Sequence, residues 1–363
     1  MTIALSLAKV ARAEPGWYRG DFHAHTNFSD GSLTPPQLVE VARAEGLDFF
    51  AITDHNRIEA FPQFGDTGNL LVIPGMEITR KVGGDFNVFG MEGWRDWMRD
   101  VCLNKITFLP GDVAWTQNEM LERTAADGLF NSINHPLLMP WAWLDGDTDL
   151  RNVHGLEIWN DPSWPDNARD NPRAVALWTD LLNAGHRIVG LGGSDYHKPV
   201  PTPKEDKPPD RLGVPRTFVY ARLLSGEAVL EGVWERRVYV SMGPRASFQA
   251  EANGRMFDIG SDLGPVQGSI ELTARAWECP EPAVAQIVRN GKPIAETPVV
   301  GGQASLKCQE AAEDSSSAWY RFDVLGPGGQ LRVITNPIFV GPRRAPEKLR
   351  FGEFVDLGDL KAL

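Results

Sequence analysis

Residues 33–56 read LTPPQLVEVARAEGLDFFAITDHN, and their order decides the fold class. Thr34 is a good helix N-cap, Pro35 and Pro36 fit the first turn, and Gln37 completes a capping box. Leu38, Val41 and Ala42 form one apolar face, and Gly46 stops the helix. DFFAIT follows as a buried strand, and polar residues begin at its end, at Asp54 and His55. A helix running straight into a buried strand is the unit of a parallel α/β sheet.

The same grammar recurs on both sides. Upstream, GWYRGDFHAH is a short strand ending in the pair His23 and His25. Downstream, NLLVIPGMEIT is a strand leading to Glu77. TQNEMLERTAADGLFNSINHP is a helix, a glycine and a strand ending at His135. VHGLEIWND is another strand, and Glu157 inside it is either a partner to the strand-end residues or half-exposed. In NPRAVALWTDLLNAGHRIVGLGGSDYH, Asn171 is the expected N-cap, Gly185 the stop, and the strand runs out into Asp195 and His197. In parallel α/β folds the C-terminal strand ends share one face, where active sites are built. Five of the seven histidines fall at such ends. His154 and His186 precede strands and read as structural.

The texture changes near SMGPRAS, residues 241–247. Beyond it, SIELTARAW, AVAQIVRNGKPIA, QASLKCQ, SAWYRFDVLG and QLRVITNPIFV are strand-like, with Asn290-Gly291 as a hairpin turn. Short strands at this spacing point to an all-β sandwich-like domain. The expected division is an N-terminal tail at 1–16, an α/β domain at 17–243, a β domain at 244–343 and a loosely packed charged tail at 344–363. A chain of 363 residues is long enough for two cores.

The net charge of −12 argues against nucleic acid as the main partner. No apolar run approaches the length of a membrane span. Ala11 to Ala13 resembles the end of a signal peptide, but no basic segment precedes it and Lys9 interrupts the apolar part. A cytoplasmic location is expected, with a periplasmic or secreted one as the alternative. Cys102, Cys279 and Cys308 are too scattered for a disulfide framework or a thiolate metal site and are expected as free thiols.

His, Asp and Glu without Cys suit Zn, Mn or Fe. The period of two along a strand points both rings of His23 and His25 to the same side. Taken together, HAHTNFSDG, ITDHN, IPGMEIT, NHP and GSDYH resemble, in order and approximate spacing, the motifs of the PHP (polymerase and histidinol phosphatase) metallohydrolases. The likeness runs from about Trp17 to Gly243. GWYRGDFHAHT, GLEIWN and NPIFV are also similar to the carbaryl-hydrolase-like (CehA/McbA) branch, which often carries a β domain after the hydrolase domain.

The resemblance implies an α/β fold, a distorted (β/α)7 barrel, with two or three divalent metal ions. Carried across, His23, His25, Glu77 and Asp195 would hold a first ion. Glu77 would bridge to a second, also held by His135. Asp30, His55 and His197 would hold a third. The family usually has a histidine eight to ten residues after the glutamate, whereas this chain has Asp85 in VGGDFNVFG. A carboxylate ligates Zn, Mn or Fe as well, so Asp85 is expected as a ligand, with a purely hydrogen-bonding role as the alternative.

Such a cluster lowers the pKa of bound water and so creates a hydroxide nucleophile. Asp195 is expected beside that nucleophile, with His197 or His55 on the leaving-group side. Arg80, Lys81 and Arg216 are candidate phosphate binders, equally readable as solvated surface charges. The proline-rich stretch 198–210 is a rim over the site or a plain loop. Tryptophans crowd residues 94–164 and would line an aromatic pocket or pack the core. The leading function is a metal-dependent phosphoesterase acting on a small phosphomonoester or phosphodiester. A carbamate or carboxyl-ester hydrolase is the second reading, and a non-catalytic metal-stabilised binding module the third.

Overall fold

The computed structural model describes residues 5–80, 83–102, 115–199, 208–312 and 316–361. Lys81, the tip of the proline-rich stretch at 200–207 and the side chain of Cys102 lie outside the described residues. The helix read from the sequence spans Pro35–Ala44, and the Gln37 side chain accepts from the Thr34 N–H at 2.9 Å. It buries Leu38, Val39 and Ala42 against the sheet, while Val41 is only partly buried.

The central sheet runs in two directions from the strand Gly16–Asp21. On one side, Phe49–Ile52 and Leu71–Ile78 follow in parallel. Phe86–Phe89 then pairs antiparallel on both its edges, and Phe130–Ile133, Gly155–Asn160 and Val189–Gly193 restore the parallel direction. The inserted hairpin strand breaks the helix–strand alternation and carries Asp85 on the turn before it.

The ladder does not close into the expected barrel. Val189–Gly193 ends the sheet on this side, and side chains take over its free edge. Gly192 donates its N–H to Thr217 Oγ1 at 3.1 Å, and that hydroxyl donates to Gly192 O at 2.6 Å. Asn336 does the same for Gly190, accepting from its N–H at 2.9 Å and donating to its carbonyl at 2.8 Å. A Cβ at Gly192 would lie 2.4 Å from Val240 Cγ1, so only glycine fits against that side chain. Only at the site end does backbone meet backbone, with the His25 N–H bonded to Tyr196 O at 2.9 Å. Buried amides left without partners cost about 1–3 kcal/mol each. Asn336→Ala strips two from Gly190 and is expected to lower the unfolding free energy by about 2–3 kcal/mol in urea titration; a loss below about 0.5 kcal/mol would contradict this account of the seam.

On the other side of Gly16–Asp21 the sheet continues antiparallel through Arg216–Ala221, Val238–Ser241, Leu331–Thr335, Ala318–Leu325, Val284–Arg289 and Lys292–Pro298. The expected hairpin is present, with Asn290 and Gly291 both at positive φ. The β region is therefore not a free-standing sandwich: Leu331–Thr335 pairs directly with Val238–Ser241 and draws its neighbours into the central sheet. A second sheet of four strands, Arg255–Asp258, Arg245–Ala252, Gly268–Trp277 and Gln303–Ala312, packs its apolar face on that extension. Phe248, Ala250, Leu272 and Ala274 share one core with Ile287, Phe322 and Val333.

Two further expectations change. The helix expected from Asn171 spans Asn167–Asn183. Asn171 instead accepts from Asn160 N at 2.9 Å and donates to Asn160 O at 2.7 Å, tying the helix to the end of a strand. The C-terminal segment is docked rather than loose: Phe351 and Leu360 are buried in the main core, and the Phe351 N–H reaches Thr148 O at 3.1 Å. Cys279 is buried, Cys308 is partly exposed, and both are unbridged. Among the described residues no helix is long and apolar enough to cross a membrane.

His186 Nε2 donates to Lys348 O at 2.8 Å, and the His154 ring lies 4.4 Å from that of Trp234, tilted against it. Burial holds the His154 imidazole down at about 4, whereas a histidine of the unfolded chain titrates near 6.5. Between these values the unfolded state binds the extra proton, so this contribution is present above the upper value and lost as pH falls through the window. His154→Phe is expected to flatten the acid limb of the stability profile between about pH 6.5 and 4, read by urea unfolding. A limb parallel to that of the unaltered protein would show that His154 is not its source.

Candidate metal centre

The chain's strand ends do converge. Asp21, His23 and His25 alternate along one extended segment, so all three face the same side. His55 follows the next strand, Glu77 lies in the third, His135 follows Phe130–Ile133, and Asp195 and His197 follow Val189–Gly193. Asp85 arrives from the turn before Phe86–Phe89. His135 and Asp195 adopt φ of 26° and 49°, a left-handed backbone that costs non-glycine residues about 1–2 kcal/mol. Strain of this kind at two convergent residues is a mark of a functional site.

Three groups of potential ligand atoms form, each with its members within 4.8 Å of one another. His23, His25 and Glu77 make the first, and Glu77, Asp85 and His135 the second. His25, Asp30, His55 and His197 make the third. Glu77 sits at the junction: its Oε2 lies 3.2 Å from His23 Nε2, 3.4 Å from His25 Nε2 and 3.0 Å from His55 Nδ1. Its Oε1 lies 3.5 Å from His135 Nε2. Asp195 Oδ1 closes the other flank, 3.2 Å from His23 Nε2 and 3.1 Å from His25 Nε2. The first two groups are buried, and the third opens towards solvent through Asp30.

The outer contacts fix which ring nitrogens face inward. His23 Nδ1 is held by Glu157 Oε1 at 3.0 Å, leaving Nε2 to the cluster. His197 Nδ1 lies 2.6 Å from Asp195 O, leaving Nε2 towards Asp30. A carboxylate or carbonyl behind an imidazole is the usual way a metal-ligating histidine is oriented. Glu157, undecided from the sequence, is buried; its other oxygen accepts from His135 N at 2.8 Å. Gly193 permits this arrangement, because a Cβ there would collide with the Cβ of His23 and lie 2.7 Å from Glu157 Oε1.

The charges show what the donors call for. Burial alone would lower the His23 imidazole, but Asp195, Glu77 and Glu157 hold it well above its usual value. Burial likewise opposes His55 and His135, yet Glu77 raises both to about 9. Against the same burial, Asp195 and Asp30 raise His197 to about 10. His25 goes the other way, lowered by burial and by the neighbouring His197 and His55. Burial raises the Asp85 carboxyl to about 7, and the Glu77 charge adds to it. So many carboxylates demand cations, which protons on imidazole supply in part and divalent ions would supply better. His135 Nδ1 is, in addition, buried with no hydrogen-bond partner. An all-N/O donor set of this kind fits Zn, Mn or Fe.

Two supporting residues, Asp21 and Asn134, were not singled out from the sequence, and a third, Asp54, was marked only as a strand-end carboxylate. Asp21 is fully buried and accepts from His23 N at 3.0 Å and Ser194 N at 3.0 Å. Asp54 accepts from Thr26 N at 2.7 Å and Ser29 Oγ at 2.8 Å, setting the loop that carries His25 and Asp30. Asn134 donates to Glu77 Oε1 at 2.8 Å. Asp21 had a signal, since it shares the face of His23 and His25 by parity. Asn134 had none beyond standing next to a strand-end histidine.

The pocket over the cluster has a volume of about 310 Å³. Lys198, Asp161 and Asp210 line it beside the ligands, with Trp141 and Trp164 at 5.5 Å from one another. The two arginines expected to bind substrate do not point into it. Arg80 donates to Trp115 O at 2.7 Å, and Arg216 donates to Glu45 O at 3.1 Å. Trp143 is fully buried in the core, and Trp97 pairs with Trp115 at 6.3 Å, so most of the tryptophans pack rather than line the pocket.

Residues 21–127 match the family model described as the PHP domain. No curated protein matches the chain. Among solved structures it is similar to a two-domain protein from Bacteroides vulgatus, described as containing a predicted PHP-like metal-dependent phosphoesterase. That match has 17% identity, covers 92% of this chain and 99% of that one, and has a TM-score of 0.49. Endonuclease Q bound to a 27-mer duplex with an abasic lesion shares 18% identity over 60% of this chain and 56% of its own, with a TM-score of 0.46. An amidohydrolase from Chromobacterium violaceum with bound sulfate shares 15% over 49% and 87%, with a TM-score of 0.36. Likenesses this distant carry no substrate information to this chain.

Proposed function

We propose that this protein is a metal-dependent phosphoesterase acting on a small phosphomonoester or phosphodiester. The observation that carries the reading is the convergence of three ligand groups at one end of the sheet, two of them sharing Glu77. The PHP match over residues 21–127 supports the same class of chemistry. In this reading His23, His25, Glu77 and Asp195 hold one divalent ion, Glu77, Asp85 and His135 a second, and Asp30, His55 and His197 a third. Divalent ions held there would supply a water of lowered pKa and polarise an ester oxygen.

The chain's own residues do the rest. Asp195 Oδ2 lies 3.5 Å from Asn160 Nδ2, which orients the carboxylate that takes a proton from the attacking water. Glu157 and the Asp195 carbonyl hold Nδ1 of His23 and of His197 and so aim both Nε2 atoms inward, where a bound ion would take the place of the proton. Lys198 and the exposed edge of the third group receive the substrate's anionic end. The charge of −12 and the 310 Å³ pocket favour a small molecule over a nucleic acid. We keep residues 17–243 as the hydrolase domain and 244–343 as a β domain that backs it.

A second reading, a carbamate or carboxyl-ester hydrolase using the same cluster, is favoured by one observation. Trp141 stands 41% exposed at the pocket and meets Trp164 edge to face, a wall suited to an aryl group. Turnover of p-nitrophenyl phosphate or bis-p-nitrophenyl phosphate, lost in His23→Ala, supports the phosphoesterase. Turnover of 1-naphthyl N-methylcarbamate alone replaces it with the second reading.

A further inference from the structure

A second cavity is larger than the metal pocket. It has a volume of about 650 Å³ and lies between the first turns of the helix Asn167–Asn183 and the strands Ala318–Leu325 and Leu331–Thr335. A cavity of this size holds a small organic molecule. Its walls come from both parts of the chain: Trp159 and Val175 from the α/β part, Met242 from the junction, and Arg321, Asp323 and Arg332 from the β region.

Its charge pattern is specific. Arg321 is buried, and its Nε donates to both oxygens of Asp323 at 3.0 Å, with Nη1 donating to Thr179 at 2.9 Å. That pair is internally balanced. Arg332 is not: its Nε is buried and has no hydrogen-bond partner. Two arginines against one carboxylate leave one positive charge at the cavity wall. Beside it stand the apolar surfaces of Trp159, Val175 and Met242.

We propose that this cavity binds a small organic monoanion, a carboxylate with an apolar body. The carboxylate pairs with Arg332, and the body packs on Trp159, Val175 and Met242. A single surplus charge with Asp323 nearby suits a monoanion and disfavours a phosphate dianion. The site is separate from the metal centre but shares a wall with it: Trp159 and Pro162 line this cavity, while Asn160 and Asp161, between them in sequence, line the metal pocket.

The probes are benzoate and its neutral counterpart benzamide, tested on the metal-loaded full-length protein by equilibrium dialysis. Benzoate is expected to bind with a Kd on the order of 1 mM or below, and benzamide at least about 10-fold more weakly. Arg332→Gln is expected to weaken benzoate by about 10-fold or more, and Val175→Trp to abolish binding by filling the cavity with Arg332 intact. Unchanged thermal midpoints in both variants show that the fold is kept. Binding of benzoate that survives both substitutions places the carboxylate elsewhere, the metals included, and overturns the proposal. So does the absence of binding, or equal binding of benzamide.

Discussion

Glu77→Gln is expected to lower the hydrolytic rate by about 10³-fold or more and to remove at least one bound metal ion per chain. The substitution keeps volume and removes only charge. Glu77 is common to two ligand groups and touches His23, His25, His55 and His135 within 3.5 Å. Among the described carboxylates of the cluster, Asp195 and Asp30 each meet three histidines and Glu77 meets four. Without its charge, the Nε2 atoms of His23 and His25 retain only Asp195 as an anionic partner across the first site. A factor of 10³ corresponds to about 4 kcal/mol of lost transition-state stabilisation, the scale expected when a cation is lost or displaced. Kinetics at saturating metal, together with elemental analysis, check it. A loss below about 10-fold with full metal content would show that Glu77 is not the junction.

Asp21→Ala is expected to cost about 3 kcal/mol or more of folding free energy, the largest loss from any single polar side chain near the site. The Asp21 carboxylate accepts from His23 N, Ser194 N and Gly213 N, at 3.0, 3.0 and 2.6 Å, and from the Ser194 hydroxyl. It thereby ties the first strand, the Ser194-Asp195 turn and the return to Arg216–Ala221. Truncation leaves three buried N–H groups unpaired, each costing about 1–3 kcal/mol. Part of this is offset, because burial raises the Asp21 carboxyl to about 6 and its removal relieves that cost. Urea unfolding reads the net value. A loss under about 1 kcal/mol would show that water replaces the carboxylate.

The sequence carried the site better than the sheet. The alternation of His23 and His25, and the histidines at strand ends, depend on local periodicity, and that survives any tertiary context. The hairpin at Asn290-Gly291 was legible for the same reason, since both residues tolerate positive φ. The continuation of the central sheet through Leu331–Thr335 was not legible, because pairing between residues about a hundred apart leaves no local trace. Nor was the seam: nothing marks Thr217 or Asn336 as stand-ins for a strand until Gly190 and Gly192 lie beside them. Glu157 stayed undecided because Gly155–Asn160 is buried on both faces, so alternation said nothing about which way it points. Arg80 and Arg216 were drawn towards the site by sequence proximity to strand ends, while their partners, Trp115 O and Glu45 O, lie far off in the chain.

A multinuclear metal centre at these residues holds more than one ion per chain. Elemental analysis of untagged protein, purified without chelator and reconstituted with Zn, Mn or Fe, tests it most directly. Two or more divalent ions per chain are expected, with at least one lost in Glu77→Gln. One ion or none after reconstitution would contradict it.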